Sequence, residues 1–326
     1  METWNKAAPD LTRPADHGGG IDAAVMLFGG VRGDWIDLST GINPQPYPVG
    51  ELYGRDWTDL PDIGASKALE LAARRFWRVP DAAGVLAAPG ASALIARVPG
   101  LAGAGRVAVP GPTYNEHARA FRAEGWEIVD GGGDARVLVH PNNPDGRLWH
   151  AEDADGAMTI IDESFCDVMP EASLMALATR PGTLILKSFG KFWGLAGLRL
   201  GFAIGDPGLI ARLSQMLGPW PVSGPALRIG AEALLDTGWA DETRVRLRKD
   251  AARLDGLVTG RGARLIGGTS LFRLYAVADA GQWQDHLARG HIWTRVFPYD
   301  PCWIRLGLPG TADQWARLTE ALGDAP

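Results

Sequence analysis

This chain of 326 residues has little cysteine, no excess of positive charge and no long apolar run. Its two cysteines, Cys166 and Cys302, lie far apart and form no disulfide framework, so we expect free thiols in a reducing compartment. The formal net charge of −6 disfavours nucleic-acid binding, because no basic surplus exists to neutralise phosphates. No apolar run approaches the length that crosses a bilayer. We therefore expect a cytoplasmic protein without membrane or nucleic-acid partners.

Two further kinds of motif are missing. The glycine run at 18–20 follows no predicted strand, so it is not a dinucleotide-binding fingerprint. His117 and His150 lack the spacing of metal ligands, and we predict no metal site. Any anionic ligand must therefore be bound by individual arginines.

The chain does contain short apolar strands that alternate with helical stretches. Strands are predicted at 85–90, 106–110, 126–129, 136–140, 158–162, 183–188 and 199–204. Helices are predicted at 66–77, with Ser66 as the N-cap, at 91–98 and at 114–125. This alternation is typical of an α/β fold with a mostly parallel sheet and helices on both faces.

The pattern changes near residue 219. Helices at 225–236, 239–259, 281–289 and 311–322 are interspersed with strands at 263–266, 270–277 and 302–308. We therefore predict a large domain at 49–217 and a small α+β domain at 218–326. The Gly- and Pro-rich segment 1–48, with one short strand at 35–38, is predicted to be an arm that completes the small domain.

A lysine and an arginine in a run of small residues are the most informative feature. The run 188–201, SFGKFWGLAGLRLG, places Lys191 between two predicted core strands, with Ser188 before it and Arg199 after it. A poorly hydrated amine loses its proton more easily and can then form a Schiff base with a carbonyl. The hydroxyl and the guanidinium suit a phosphate monoester. The run predicts a pocket for a phosphorylated aldehyde such as pyridoxal phosphate; a glycine-rich turn with a solvated lysine is the alternative.

Asp162 ends the very apolar predicted strand at 158–162. An isolated buried carboxylate is costly, so Asp162 needs a charged partner. A pyridinium nitrogen is such a partner, because an ionised carboxylate keeps it protonated and lets the ring accept electrons. A helix cap or an ordinary ion pair is the alternative.

Two weaker signals stand where predicted strands lead into helices. The stretch 89–93, PGASA, offers backbone amides and the Ser92 hydroxyl to an anion, although turn chemistry alone also explains it. Tyr114 opens a helix, where its ring either stacks on a planar cofactor or is simply half-buried.

Amide and guanidinium groups complete the set of candidates. The turn 140–146, HPNNPDG, directs Asn142 or Asn143 into the cleft, or is a plain turn. Arg305 lies within an apolar strand, so it must face either solvent or an anion. Arg295 is a second candidate anion ligand, with a surface position as its alternative.

Taken in chain order, these motifs resemble the fold-type-I pyridoxal-phosphate enzymes of aminotransferase class I/II. The similarity covers about 85–310 and includes DESF at 162–165 and SFGK at 188–191. It implies a seven-stranded-type sheet and a homodimer with its site at the subunit boundary. It also implies the following roles: Lys191 binds pyridoxal 5'-phosphate covalently, Asp162 pairs with the ring nitrogen, Asn143 contacts the phenolic oxygen, Tyr114 stacks on the ring, Ala91, Ser92, Ser188 and Arg199 hold the phosphate, and Arg305 binds the substrate α-carboxylate.

Within that class, three segments are most similar to the threonine-phosphate decarboxylases of cobalamin biosynthesis. They are HGGG at 17–20, WIDLSTGINPQPYP at 35–48 and DLPD at 59–62. The resemblance implies decarboxylation of L-threonine O-3-phosphate to (R)-1-aminopropan-2-yl phosphate. For the substrate phosphate we predict Arg295 and His17 as ligands.

Histidinol-phosphate aminotransferases are the nearest relatives of that group, and such an activity on a phosphorylated amino substrate is the alternative function. Phe165 stands where many aminotransferases have a tyrosine bonded to the phenolic oxygen. Leu60 stands where histidinol-phosphate enzymes often have a tyrosine that reaches the neighbouring subunit's cofactor, which disfavours the alternative. A non-enzymatic binding module is a third reading, against which the full lysine–aspartate–arginine set argues. The choice between carbon dioxide loss and amine transfer rests on the resemblance alone.

Overall fold

The computed structural model describes residues 17–323, so parts of the predicted arm (1–16) and of the predicted small domain (324–326) lie outside the described residues. Within 17–323 the strands are β1 (Ile36–Asp37), β2 (Gly84–Ala88), β3 (Arg106–Ala108), β4 (Glu127–Val129), β5 (Ala135–Val139), β6 (Met158–Asp162), β7 (Thr183–Ser188), β8 (Gly201–Gly205), β9 (Arg264–Thr269), β10 (Phe272–Ala276), β11 (Ile292–Trp293), β12 (Arg295–Phe297) and β13 (Asp300–Leu306). The α-helices are α1 (Ile21–Phe28), α2 (Gly54–Thr58), α3 (Ile63–Phe76), α4 (Ala91–Ile95), α5 (Asn115–Ala123), α6 (Pro207–Leu217), α7 (Gly224–Leu235), α8 (Thr237–Thr259), α9 (Ala280–Arg289) and α10 (Ala312–Gly323).

A seven-stranded sheet of order β2-β8-β7-β6-β5-β3-β4 forms the larger layer. The neighbours from β7 to β4 are parallel, whereas β8 is antiparallel to both β7 and β2. The chain returns from β7 to β8 without a crossover α-helix, and an antiparallel pair needs only such a short connection. The mostly parallel sheet predicted from the sequence is confirmed, and Lys191 lies on this β7–β8 connection.

The central strands are buried on both sides, which explains their continuous apolar sequences. Ile160 and Leu184 pack into one hydrophobic core, and Ile161 and Ile185 pack into the other. Successive side chains of a strand point to opposite faces, so each strand contributes to both cores. The α/β fold with covered faces is therefore confirmed.

A second, antiparallel sheet of order β12-β13-β10-β9 carries Arg295 and Arg305. β1 pairs in parallel with β11, with Ile36 opposite Ile292, so the N-terminal segment contacts the C-terminal part of the chain. This pairing agrees with an arm that completes a small domain, but the three predicted domain bounds stay a prediction.

Several local predictions were wrong or incomplete. α3 begins at Ile63 and is capped by Asp62, whose Oδ1 accepts the Ala65 N–H at 2.7 Å, so Ser66 is not the cap. α1 lies in a segment expected to be arm or loop, and α2, α6, β11 and β12 were not predicted. Within the described part of the chain, no helix is long and apolar enough to cross a membrane.

Candidate active site

Two adjoining cavities lie at the carboxyl ends of the parallel strands. The inner cavity, of about 120 Å³, and the outer cavity, of about 160 Å³, share four lining residues: Tyr114, Asn143, Phe165 and Lys191. Ala91, Ser92, Asp162, Ser188 and Arg199 line the inner cavity, and His17, Arg295 and Arg305 line the outer one. The structure therefore brings all eleven residues predicted from the sequence to one continuous site.

The Lys191 amine lies in this site 5.3 Å from the centre of the Phe165 ring. Burial, followed by the charges of Arg305 and Arg199, lowers the pKa of Lys191 to about 8, although Asp162 and Asp37 oppose the shift. At pH 7 about a tenth of the amine is therefore neutral, and the neutral form is the one that acts as a nucleophile.

Asp162 ends β6 and is almost completely buried. Burial alone would raise its pKa, but the hydrogen bond and charge of His117, together with bonds from Ser164, outweigh burial and lower it. His117 Nε2 lies 2.8 Å from Oδ2, and the Ser164 amide and hydroxyl donate to Oδ1 at 3.0 and 2.5 Å. An ionised carboxylate only accepts hydrogen bonds, so His117 donates through Nε2. Asp162 is therefore a fixed negative charge in the inner cavity.

Arg199 and Gly90 approach each other closely at the wall of the inner cavity. Gly90 has φ +89°, and a Cβ there would lie 2.7 Å from Arg199 Nη2. The backbone of Arg199 is in the left-handed region, with φ +51°. Its side-chain Nη1 donates to the Ala196 carbonyl at 3.1 Å. The guanidinium lines the inner cavity together with Ala91, Ser92 and Ser188, a set of donors that suits a phosphate.

Arg305 lies on β13 and lines the outer cavity. Its Nη1 donates to Asn143 Oδ1, and its Nη2 donates to the Ser39 carbonyl at 2.6 Å. Burial, followed by the nearby charge of Arg295, lowers the pKa of Arg305 to about 10. Its buried Nε has no hydrogen-bond partner within residues 17–323. A buried guanidinium with an unused donor points to an anionic ligand.

The structure distinguishes Asn142 from Asn143. The Asn142 side-chain amide donates to the Pro112 carbonyl at 3.0 Å and to Asp145 at 2.7 Å, so it belongs to the turn. Asn143 lines both cavities.

Arg295 and His17 meet at the mouth of the outer cavity. Arg295 Nη1 donates to the His17 carbonyl at 3.2 Å, and His17 Nε2 lies 3.2 Å from Glu116 Oε1. The His17 ring also lies 5.9 Å from the Tyr114 ring. Burial, followed by the charges of Asp162 and Glu116, raises the pKa of Tyr114 to about 12, so its phenol stays neutral.

Sequence reasoning missed the role of His117, which it weighed only as a metal ligand. The available signal was spacing, because His117 lies three residues after Tyr114 and such residues share a helix face. That face is the one turned toward the strand end that carries Asp162.

Among residues 17–323, His140, Glu163 and Cys166 form one group of possible metal ligands. His140 Nδ1 accepts the Trp149 N–H at 3.0 Å, its Nε2 lies 2.7 Å from the Ala172 carbonyl, and Glu163 lies 2.6 Å from Lys187 Nζ. These groups are already bonded within the protein, so we assign no metal to them.

Comparison with known proteins places this geometry in a family. The family model "Aminotransferase class I and II" matches residues 135–322. Threonine-phosphate decarboxylase from Sinorhizobium sp is 40% identical, and the match covers 96% of this chain and 98% of the relative. Threonine-phosphate decarboxylase from Pseudomonas aeruginosa is 38% identical, and the match covers 94% of this chain and 97% of the relative.

A solved structure agrees with the fold. Histidinol-phosphate aminotransferase from Sinorhizobium meliloti, in complex with pyridoxal-5'-phosphate, superposes with a TM-score of 0.77 at 17% identity and covers 99% of both chains. The resemblance seen in the motifs is thus confirmed by sequence and fold: the chain belongs to the aminotransferase class I and II family.

Proposed function

We propose that this protein is a pyridoxal-phosphate-dependent decarboxylase that converts L-threonine O-3-phosphate to (R)-1-aminopropan-2-yl phosphate in cobalamin biosynthesis. The observation that carries the proposal is the 38–40% identity to two threonine-phosphate decarboxylases over nearly the whole chain. The site supports it, because a reactive amine, a fixed carboxylate and several guanidinium groups line one continuous space.

The residues of the inner cavity fit the cofactor group by group. Lys191 suits the aldehyde, Asp162 the pyridine nitrogen and Tyr114 the ring face. Asn143 suits the phenolic oxygen, with no help from Phe165, which has no hydroxyl. The phosphate would be held by the remaining polar groups of the inner cavity: the Ala91 and Ser92 backbone and the side chains of Ser92, Ser188 and Arg199. The bound cofactor supplies an electron sink for the electron pair left when carbon dioxide departs.

The outer cavity has the charges that a doubly anionic amino acid requires. Arg305 would bind the α-carboxylate through its unused Nε, and Arg295 with His17 would bind the phosphate. Two separated anchors fix the substrate's rotation, and this rotation selects the bond at Cα that breaks. The Lys191 amine, with its lowered pKa, holds the proton that is delivered to Cα.

The test is to incubate the protein with pyridoxal 5'-phosphate and L-threonine O-3-phosphate and to measure carbon dioxide. We expect carbon dioxide in stoichiometric amounts with the amine, no requirement for 2-oxoglutarate, and loss of turnover in Lys191→Ala. Amine transfer to 2-oxoglutarate without carbon dioxide would replace the proposal with a histidinol-phosphate-type aminotransferase.

We also propose that the protein is a cytoplasmic homodimer. The free thiols of Cys166 and Cys302 suit a reducing compartment. Trp57, Leu60 and Ile63 lie within seven residues of one another and are 67–90% exposed, and a cluster of exposed large apolar side chains often marks an interface with a partner. A second copy of the chain is the partner we propose.

A further inference from the structure

The backbone after β7 is held by a second segment of the chain. Residues 43–47, which we call the strap, donate to three successive carbonyls of the lysine loop (189–200). The Asn43 N–H donates to the Lys191 carbonyl, and the Tyr47 N–H donates to the Trp193 carbonyl, both at 2.9 Å. Between them, Asn43 Nδ2 donates to the Phe192 carbonyl at 2.9 Å.

Asn43 is suited to this position by its size and its two kinds of polar atom. It is 1% exposed, and its Oδ1 accepts from Arg246 Nη2 at 2.8 Å and from the Gln45 N–H at 3.1 Å. Its side chain therefore joins the lysine loop to Arg246 on α8. An aliphatic residue would leave the Phe192 carbonyl and the Arg246 guanidinium without these bonds.

The chain just before the strap reaches the other side of the site. The Ser39 carbonyl accepts from Arg305, and Thr40 and Gly41 line the outer cavity beside Lys191. The stretch from Ser39 to Asn43 is thus a short covalent path between the arginine proposed to bind carboxylate and the backbone of Lys191.

We infer that Asn43 is a positioning residue for Lys191, acting through the backbone of the lysine loop and held in place by Arg246. This inference rests on the proposed cofactor. Lys191 lies on an irregular connection, so its amine keeps its place among Asp162, Asp37, Arg199 and Arg305 only if its backbone is fixed. Asn43 lines neither cavity, so its loss should alter the lysine rather than the binding of substrate.

The test compares Asn43→Ala with Gln45→Ala in the holoenzyme. Gln45 lies in the same strap, but it is exposed and its side chain donates to the Gly310 carbonyl, away from the lysine loop. For Asn43→Ala we expect the midpoint of the pH titration of visible absorption to move by about half a unit or more. We expect kcat to fall about tenfold, as the loss of one or two buried hydrogen bonds implies, with KM changed less than about twofold. Gln45→Ala should match the wild type in its titration midpoint, its kcat and its KM.

A second variant guards against simple misfolding. Arg246→Met leaves Asn43 in place but removes its anchor, so we expect a smaller change in the same direction and an effect that is not additive with Asn43→Ala. If Asn43→Ala does not fold, Arg246→Met alone carries the test.

Two results would overturn the inference. One is a folded Asn43→Ala holoenzyme, or Arg246→Met where the former does not fold, with the wild-type titration midpoint and kcat. The other is a wild-type protein that takes up no cofactor, which would remove the proposed function as well. A wild type that shows the titration but releases no carbon dioxide would contradict only the decarboxylase proposal, because the absorbance readout for Asn43 is independent of the reaction.

Discussion

At Asp162, burial and hydrogen bonding act on the pKa in opposite directions, and hydrogen bonding prevails. The carboxylate is almost inaccessible to water, yet it accepts from His117 and twice from Ser164, so its pKa is lowered. A group whose folded pKa is lowered contributes stability above its unfolded pKa and loses that contribution as pH falls through the folded value. Asp162 is therefore ionised over the whole neutral range.

His117→Phe tests this balance. The phenylalanine ring has a similar volume but no donor, so the pKa of Asp162 should rise and its proposed contact with the pyridine nitrogen should weaken. A hydrogen bond to a charged group contributes about 1.5–3 kcal/mol, so we expect kcat to fall about tenfold or more. Steady-state kinetics between pH 5 and pH 9 measure this fall in kcat. The exposed His150→Phe is the control, and activity of His117→Phe within twofold of wild type would contradict the role.

Site residues are predictable from the sequence when their neighbours in sequence make them unusual, and are missed when their role depends on contacts with distant segments. Lys191 and Asp162 are unusual in their own apolar surroundings, so the sequence alone predicts them. The choice between Asn142 and Asn143 depends on Pro112 and Asp145, which bond to the first and leave the second facing the cavity. Contacts across large sequence separations, such as the bonds of Asn43 to the lysine loop, follow from the fold and have no local signal.

At the scale of elements, β6 and β7 are joined behind the site by a buried ion cluster. Lys187 Nζ lies 2.6 Å from Glu163 and 3.3 Å from Asp167. Asp167 also accepts the indole N–H groups of Trp77, at 2.9 Å, and Trp193, at 3.3 Å. Trp193 belongs to the lysine loop, so this cluster fixes that loop from the side opposite the cavity.

Lys187→Met should destabilise the protein strongly. Removing one partner of a buried pair costs about 3–5 kcal/mol, because the other charge is left uncompensated. Burial would raise the pKa of Glu163, but the charge and hydrogen bond of Lys187, together with bonds from Ser173 and Leu174, outweigh burial and lower the pKa. The wild type therefore loses this stabilisation as pH falls through the lowered value. In the variant, only the hydrogen bonds from Ser173 and the Leu174 amide still oppose burial, so Glu163 becomes protonated more readily. The difference in free energy of unfolding should therefore be large at pH 7 and smaller at pH 4.

Urea unfolding at the two pH values measures this difference. Lys67→Met is the matched control, because Lys67 is exposed and its pair with Glu70 contributes less than about 1 kcal/mol. Equal destabilisation of both variants, or a loss in Lys187→Met that does not depend on pH, would show that packing rather than charge is responsible.

Element bounds are predictable where one cause dominates. β7 is predicted at its observed bounds because every residue from Thr183 to Lys187 is buried and the run is mostly apolar. α3 begins three residues earlier than expected because Asp62 is the better-placed acceptor for its first turn. α6 carries an evident start signal, Asp206 followed by Pro207, which the sequence analysis overlooked.

At the scale of the whole molecule, the two arginines proposed to bind substrate and the lysine belong to different sheets. Arg295 and Arg305 come from the antiparallel sheet, whereas Lys191 follows a strand of the seven-stranded sheet. These arginines come close to Lys191 because of the order of the strands in each sheet. That order depends on pairing between distant segments, which local residue patterns do not predict. That these arginines and Lys191 share one site was therefore predicted only from the resemblance to the family.

An apolar surface lies on the large sheet's side of the molecule. Ile63, which is 90% exposed, lines one groove with Trp220, which is 57% exposed, and the exposed Trp57 and Leu60 precede Ile63 in the chain. Burial of such side chains contributes about 1.5–3 kcal/mol each. A homodimer that covers this surface would gain stability from it.

The double variant Trp57→Ser with Ile63→Ser tests that assembly. We expect wild-type protein at micromolar concentration to have the light-scattering mass of two chains, and the double variant to have the mass of one. Leu148→Ser is the control, since Leu148 is 43% exposed and lies outside this groove. Because the resemblance puts the site at the subunit boundary, the monomeric variant should also lose most of its decarboxylase activity, and that loss should be reversed in part at high protein concentration by mass action. A double variant that stays dimeric would place the interface elsewhere, whereas a monomeric wild type with full activity would show that one chain completes the site.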